Sequence, residues 1–314
     1  MKFLRILLTL IAVGWSSSTY ATDRVFSVPL EALKSWSQDI VVTMQNVNIL
    51  GHSNVHPVNN DCEMHFGAKV DGYAGDPWGW VLEPMNVCKE AFFKKTKYSK
   101  KDWLDFGSSL KDKKVIVEGV PRIWPEHLEG GNEPSNPNHA MELHPLTKLT
   151  LGKQAYDFTQ FIYAPEGFRG GMSAATAQNI LEDSEVAVSK QGDEVEIDLD
   201  AGKIGNFSTL HIRIPRDKIE SANGGHHAMG QVIFDRKKPI AVVMVTVKGT
   251  RIDDRVAQFQ VSTSKREALR IDALVLISLD PRALYQAAKD APAGTKVKVE
   301  PALQLIVYDA VEEE

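Results

Sequence analysis

The chain has 314 residues and a formal net charge of −5, with 36 Lys and Arg against 41 Asp and Glu. A net acidic protein has no overall field that attracts a polyphosphate, so nucleic acid is disfavoured as a partner. Beyond the N-terminus, no stretch approaches the roughly 20 uninterrupted apolar residues of a membrane-spanning helix, so no transmembrane segment is expected.

The first 21 residues have the pattern of a secretory signal. Lys2 and Arg5 precede an apolar run over 6–15, which is too short to span a bilayer, and small polar residues lead to Ala21. We expect cleavage after Ala21, which predicts a periplasmic or secreted protein.

The cysteine content is minimal, with only Cys62 and Cys88 in the whole chain. In an oxidising compartment, a lone pair of cysteines most simply forms one disulfide. This prediction argues against a thiol nucleophile and against a cysteine-based zinc site.

The segment 22–150 is predicted to form a five-stranded barrel. Alternating or aliphatic patterns predict strands at 39–50, 62–70, 78–84, 114–120 and 139–151. Between the third and fourth strands, Ser99 can cap a helix that buries Trp103, Phe106 and Leu110 at helical spacing. Three strands, a helix and two strands are the order of an oligonucleotide/oligosaccharide-binding (OB) barrel.

The remaining part, 151–314, is predicted to be an α+β domain of unknown type, which makes the whole chain mainly β or α+β. Helices are expected near 173–183 and 281–290. Strands are expected near 155–163, 185–199, 207–214, 229–235, 239–248, 272–279, 295–300 and 303–309.

The fifth barrel strand contains Glu142, Leu143, His144 and Pro145 in succession. This box resembles the closing strand of exported bacterial proteins that are predicted to have OB-like barrels, which reads Glu, an aliphatic residue, His and Pro. The resemblance covers about a third of the chain. The resemblance implies a fold but does not imply an activity, and it identifies no catalytic residue.

Two Glu-x-His pairs are candidate metal ligands. Glu63 and His65 on strand 2, and Glu142 and His144 on strand 5, are each expected to face away from the barrel interior. With His139, they offer the imidazole and carboxylate donors that suit zinc or another divalent metal.

The interpretation without a metal also has support. Outward-facing Glu and His are common solvent residues, and no His-x-x-x-His spacing occurs among the candidate ligands His65, His139 and His144. We also expect strand 5 to pair with strand 1, which would hold Glu63 and Glu142 apart. Whether the two pairs meet therefore decides between the interpretations.

Candidate ligand-binding residues lie at one predicted barrel face: His52, His56, His127, Trp78 and Trp80. The histidines lie on predicted loops at 50–60 and 121–139, which flank the face that OB barrels commonly use. Trp78 and Trp80 are two residues apart on one strand, so their rings share a side and could stack on a sugar. If the rings point inward, they close the barrel core instead.

The sequence favours an exported, non-catalytic binding protein, whose barrel contacts a protein, small-molecule or oligosaccharide ligand in the cell envelope without a required cofactor. No G-x-S-x-G nucleophile motif is present. One alternative is a hydrolase in which a His/Glu-bound metal activates water and a carboxylate acts as base. Another is an envelope structural or toxin-like subunit.

Overall fold

The computed structural model describes residues 22–57, 61–70, 79–88, 98–161, 171–202, 204–235, 237–263 and 265–311. The predicted signal sequence and Trp78 lie outside these ranges. Within them, none of the helices has the length and apolar character needed to cross a membrane.

The strands of the described ranges are β1 (Thr22–Pro29), β2 (Val42–His52), β3 (Phe66–Val70), β4 (Trp80–Leu82), β5 (Lys114–Glu133), β6 (Asn136–Leu151), β7 (Gln154–Asp157), β8 (Glu185–Gln191), β9 (Glu194–Ala201), β10 (Phe207–Pro215), β11 (Ile219–Ala222), β12 (Gly225–Val232), β13 (Ile240–Val247), β14 (Ala268–Leu279), β15 (Lys296–Lys298) and β16 (Leu303–Ala310). The α-helices are α1 (Leu30–Trp36), α2 (Lys100–Leu110), α3 (Ala174–Asp183), α4 (Arg251–Val261) and α5 (Pro281–Lys289).

Five strands form a closed barrel in the order β4, β3, β2, β5, β6. Neighbours in this order are antiparallel, and β4 closes the barrel by pairing in parallel with β6. The barrel and the mainly β fold class are confirmed. The expectation that the fifth barrel strand pairs with the first is wrong, because β2 pairs with β3 and β5 whereas β6 pairs with β4, β5 and β7.

Helix α2 begins where the sequence predicts. The Ser99 hydroxyl accepts a hydrogen bond from the backbone N–H of Asp102 at 3.2 Å, which satisfies one of the free donors at the helix start. Trp103, Phe106 and Leu110 are buried in the same hydrophobic cluster as the barrel interior. Burying large apolar side chains stabilises the fold by about 1.5–3 kcal/mol each, so this face fixes the helix on the barrel.

Strands β5 and β6 form one long hairpin, where the sequence predicted a short strand at 114–120 and a loop at 121–139. Strand β5 continues to Glu133, and β6 begins at Asn136. The hairpin tip folds back onto β3, since a Cβ added to Gly67 would lie 2.0 Å from the Pro134 carbonyl oxygen. Only glycine permits this approach. The tip thus covers part of the face that OB barrels commonly offer to ligands.

The described residues form two further sheets. One has six strands in the order β10, β14, β16, β13, β12, β11, and the other has four in the order β1, β9, β8, β15. Strand β1 pairs with β9 from Thr22 opposite Ala201 to Pro29 opposite Glu194. The N-terminal strand therefore joins a sheet whose other strands follow residue 151, and a domain boundary at that residue stays a prediction.

Most elements after residue 151 lie near their predicted positions. Helices α3 and α5 fall at the predicted 173–183 and 281–290. The single strand predicted over 185–199 is instead the hairpin of β8 and β9, which turns at Gly192 with a φ of +65°. Strand β11 and helix α4 were not predicted.

The six-stranded sheet packs against the outside of the barrel. A hydrophobic cluster joins the two: Ile40, Met85, Val120, Phe207, Val245, Val247, Leu274, Leu276, Ile306 and Tyr308. Hydrogen bonds cross the same boundary, from Arg122 Nε to the Ile277 carbonyl at 3.2 Å and from the Ile123 N–H to Ser278 Oγ at 3.1 Å. The outer side of β6 is therefore buried.

Candidate metal site

The two Glu-x-His pairs meet at His144. Its Nε2 is hydrogen-bonded to Glu63 Oε1 at 2.9 Å. Its Nδ1 lies 2.8 Å from Oε2 of Glu83, the residue that follows β4, and 3.1 Å from Glu142 Oε2. Three carboxylates from separate segments of the chain thus surround one imidazole ring.

Backbone pairing places Glu83 beside His144. The parallel pairing of β4 and β6 puts Val81 opposite Glu142 and Leu82 opposite Leu143. The pairing continues past β4, since the Glu83 N–H donates to the Leu143 carbonyl at 3.1 Å and the Leu146 N–H donates to the Glu83 carbonyl at 3.0 Å. Barrel closure therefore brings Glu83 next to the Glu-x-His box.

Glu63 is held by the predicted disulfide, which is present between Cys62 and Cys88 with a Cα–Cα distance of 5.2 Å. The Val87 N–H also donates to the Cys62 carbonyl at 2.8 Å, and the His56 N–H donates to the Glu63 carbonyl at 2.9 Å. Residues 62–65, predicted as strand, precede the observed β3. The cross-link ties the segment that contains Glu63 to the segment that follows Glu83.

The cluster lies away from solvent, contrary to the interpretation of Glu142 and His144 as solvent residues. Glu63 and His144 are 0% exposed, Glu142 is 2% exposed and Glu83 is 3% exposed. The rings of Phe207 and Tyr308 from the six-stranded sheet pack edge-on against the His144 ring at 5.3 and 5.7 Å. The sheet thus seals the outer side of the barrel over the cluster.

Glu142 has its own set of donors. Its Oε2 accepts a hydrogen bond from Arg122 Nη1 at 2.8 Å, and its Oε1 is hydrogen-bonded to His139 Nε2 at 3.1 Å. Burial raises the pKa of a carboxyl group, but Arg122, His139 and His144 outweigh it and hold the pKa of Glu142 well below its usual range. Glu142 is thus a satisfied, ionised partner of His144.

The charges of the other carboxylates differ. Burial favours the neutral form of Glu83, yet His144 and His65 outweigh burial and lower its pKa to about 2. For Glu63, burial and repulsion from Glu83 raise the pKa despite its contacts with His144. Burial disfavours a charged His144 ring, but Glu83 and Glu63 raise its pKa well above the usual value. Without a metal, a proton on His144 therefore balances the neighbouring carboxylates.

Several polar atoms at this place lack hydrogen-bond partners. Nδ1 of His144 bonds to Glu142, so its 2.8 Å approach to Glu83 Oε2 is a charge contact without a hydrogen bond. Glu63 Oε2 and the Tyr308 hydroxyl are also buried without a hydrogen-bond partner among the described residues. Burial, followed by the charges of Glu63 and Glu83, raises the pKa of Tyr308 well above its usual range. Unsatisfied buried polar atoms cost about 1–3 kcal/mol each, so their concentration here marks a functional candidate.

His65 and His56 lie at the edge of this cluster. His65 Nε2 is 3.8 Å from Glu63 Oε2 and 3.4 Å from Glu83 Oε1, and the His56 and His65 rings are 4.7 Å apart. Burial lowers the pKa of His65, but the opposite effect of Glu83 and Glu63 is larger and raises the pKa to about 9. The side chains of His65 and His56 are 13% and 27% exposed, so they connect Glu63 to the surface.

Two groups of side chains in the described ranges have metal-ligating atoms within 4.8 Å of one another: Glu63, Glu83 and His144, and His56, Glu63 and His65. They share Glu63. Of the five predicted ligands, Glu63, His65 and His144 belong to these groups, whereas His139 and Glu142 support them through hydrogen bonds. Glu83 was not predicted, although a barrel closed by parallel strands 3 and 5 would have indicated it.

The predicted ligand-binding side chains that lie within the described ranges do not form one surface. Trp80 is 1% exposed in the barrel core, where its ring contacts Trp36 at 5.6 Å, in agreement with the core-packing alternative. His52 Nε2 is hydrogen-bonded to Ser108 Oγ at 3.1 Å. His127 stacks on His139 at 5.1 Å, and His56 Nδ1 is 2.7 Å from Asp61 Oδ1.

Comparison with known proteins gives no relative to which these residues could be matched. No family model, no curated protein and no solved structure matches the chain.

Proposed function

We propose that the protein is an exported, non-catalytic binding protein that holds one divalent transition metal ion, with zinc as the first candidate, between Glu63, Glu83 and His144. The observation that carries the proposal is the convergence of three buried donor groups within 4.8 Å. Carboxylate oxygens and an imidazole nitrogen are donors that zinc prefers.

The electrostatics favour a cation at this position. Two carboxylates buried beside each other are expensive without a compensating positive charge. A divalent ion would replace the proton that otherwise resides on His144, because a metal-bound histidine must be neutral at the ligating nitrogen. Glu63 Oε2, which has no hydrogen-bond partner in the described ranges, and Glu83 Oε2, which lies close to His144, would then both face positive charge.

Glu142 and Arg122 would support the site. A carboxylate hydrogen-bonded to a metal-bound histidine fixes the orientation of its ring and increases its basicity. Glu142 has this relation to His144, at 3.1 Å, and Arg122 holds Glu142 at 2.8 Å.

The burial favours retention of an ion over hydrolysis. The Glu63, Glu83 and His144 side chains are at most 5% exposed. Catalytic zinc keeps a coordination position that substrate reaches. Here burial would close the position that Glu63, Glu83 and His144 leave open. The signal pattern at 1–21 and the Cys62–Cys88 disulfide support export to an oxidising compartment.

Elemental analysis of the tag-free protein, purified without chelator and dialysed against zinc-containing and then zinc-free buffer, tests the proposal. We expect about one equivalent of metal in the wild type and a loss of most of it in Glu63→Gln and His144→Ala. Glu118→Gln and His211→Ala, which change residues outside the cluster, serve as matched controls and should keep the ion. Clearly substoichiometric metal in the wild type would overturn the proposal.

Folding of each variant is checked by circular dichroism. If His144→Ala does not fold, the nearly isosteric Glu83→Gln takes its place, measured by competition with a chromogenic zinc chelator. Equal zinc affinity in a folded Glu83→Gln variant and the wild type would also contradict the assignment. The mass of the N-terminal peptide from the envelope fraction tests export, which predicts a mature chain that begins at Thr22.

A further inference from the structure

A second feature, unrelated to the metal cluster, is a group of basic side chains around β10, β14 and α4. Two adjoining cavities of roughly 490 and 390 Å³ share Arg213, Arg266 and Glu267 in their walls. Six cationic side chains line them: Arg213, Arg216, Arg255, Lys265, Arg266 and Arg270. The carboxylates in the same walls are Asp217 and Glu267. This arginine cluster is strongly positive on a chain whose net charge is negative.

The cluster contains a repulsive pair. Arg213 lies directly opposite Arg270 in the antiparallel pairing of β10 and β14, and like charges in that position destabilise a sheet. Arg213 Nη1 donates to the neutral Gln231 Oε1 at 3.0 Å. Within the described ranges, no carboxylate forms an ion pair with Arg213, Arg255 or Arg270. Their positive charges are therefore not neutralised by direct ion pairs within the described ranges.

Arg216 is held in place within this cluster by several contacts. Its Nη1 donates to the Ser262 carbonyl at 2.7 Å, and its Nη2 donates to Ser262 Oγ at 3.1 Å and to the Arg266 carbonyl at 2.9 Å. Its guanidinium carbon lies 4.6 Å from the centre of the Phe259 ring. These contacts tie Arg216 to Ser262 and to the backbone of Arg266, so two cationic residues of the cluster are held beside each other.

We infer that the arginine cluster binds a compact ligand with two or more phosphate groups. Planar guanidinium groups form paired, charge-assisted hydrogen bonds with phosphate oxygens, and several of them around two joined cavities suit linked phosphates better than a single anion. The Asp217 and Glu267 carboxylates and the acidic net charge disfavour a long polyanion that extends past the cluster. Binding would remove the repulsion between Arg213 and Arg270.

Titration calorimetry with inorganic pyrophosphate at physiological salt tests the inference. Arg255 and Arg270 are exposed, so the double variant Arg255→Gln/Arg270→Gln should fold normally. We expect micromolar binding by the wild type and a loss of at least about tenfold in the double variant, because each lost charge-assisted hydrogen bond weakens binding substantially. Binding should also weaken steeply with salt.

The matched control is Lys69→Gln, which removes one exposed positive charge from β3 on the barrel. It should bind pyrophosphate like the wild type. Glu63→Gln should also bind normally, which separates this site from the proposed metal site. Absence of binding at millimolar pyrophosphate, or equal affinity in the double variant and the wild type, would overturn the inference.

Discussion

Two cross-strand ion pairs in the β5–β6 hairpin allow a direct test of how burial controls the energy of a charge pair. Arg122 lies opposite Glu142, and Glu118 lies opposite Lys148. The first pair is at most 2% exposed, whereas the side chains of the second are 31% and 40% exposed. Their shortest N–O distances are similar, at 2.8 and 2.7 Å. Register and distance are thus matched, and burial differs.

We expect Arg122→Met to lower the free energy of unfolding by about 3–5 kcal/mol, because it leaves the ionised Glu142 buried without its main counter-charge. Lys148→Met should cost no more than about 1 kcal/mol, since water solvates the remaining Glu118. Urea unfolding followed by tryptophan fluorescence measures both values, and Trp124, which is buried on the same strand as Arg122, helps to report the transition.

A second substitution distinguishes the cost of the unpaired Glu142 charge from the cost of the packing that Arg122→Met removes. Glu142→Gln on the Arg122→Met background removes the negative charge but keeps an oxygen that accepts hydrogen bonds. We expect it to restore at least about 1 kcal/mol, whereas the same change in the wild type is destabilising. If Arg122→Met costs no more than Lys148→Met, or if Glu142→Gln has the same effect in both backgrounds, the electrostatic account of this cluster is wrong.

Three further predictions concern other parts of the fold. Gly67→Ala should destabilise the protein by about 1–3 kcal/mol through its backbone clash with the hairpin tip. At Gly202, an added Cβ meets no described atom within 4 Å apart from its chain neighbours, so Gly202→Ala should be nearly neutral in thermal unfolding. Replacing Cys62 and Cys88 by Ala should cost about 3 kcal/mol in urea unfolding and should weaken zinc retention, since Glu63 adjoins the cross-link; unchanged values of both would contradict its positioning role. Burial, with a smaller contribution from Arg282, lowers the pKa of His227 to about 4, so the unfolded chain binds the proton more tightly. Stability should then fall by about 2–3 kcal/mol as the pH drops from 6.5 to 4, and His227→Gln should reduce this loss in pH-dependent urea titrations.

The barrel could be predicted because its signals are local. Strand alternation, the Ser99 cap and the spacing of Trp103, Phe106 and Leu110 each act within one element, and their order along the chain indicates the topology. The long hairpin could not be predicted in the same way. Its Pro- and Gly-rich sequence reads as a loop, and pairing between β5 and β6 together with contacts to β3 outweighs those local preferences.

Local signals also predicted part of the candidate site, but not its burial or the presence of Glu83. The Glu-x-His alternation places Glu142 and His144 on the outer side of the barrel, but burial of that side depends on Phe207 and Tyr308, which are distant in sequence. Glu83 is adjacent to His144 only because β4 and β6 close the barrel in parallel. Long-range packing thus turns residues that resemble solvent residues into a buried cluster of charges.

The resemblance of the Glu-x-His-Pro box to exported OB-like proteins stays a prediction, and the buried cluster gives that box a physical role. His144 is the residue on which Glu63, Glu83 and Glu142 converge. The adjacent Met141 and Leu143 pack in the barrel interior, so one strand supplies both core and site. The site thus depends on the barrel, which brings Glu83 beside His144, and on the six-stranded sheet, whose Phe207 and Tyr308 cover the His144 ring.

Anomalous diffraction from crystals of the wild-type protein, recorded on both sides of the zinc absorption edge, tests the central claim most directly. The account predicts one strong anomalous peak between Glu63, Glu83 and His144. The ion at this peak should lie about 2.0–2.2 Å from their ligating oxygen and nitrogen atoms. Crystals of Glu63→Gln should lack it. A wild-type map from zinc-equilibrated crystals without a peak at these three residues would contradict the account.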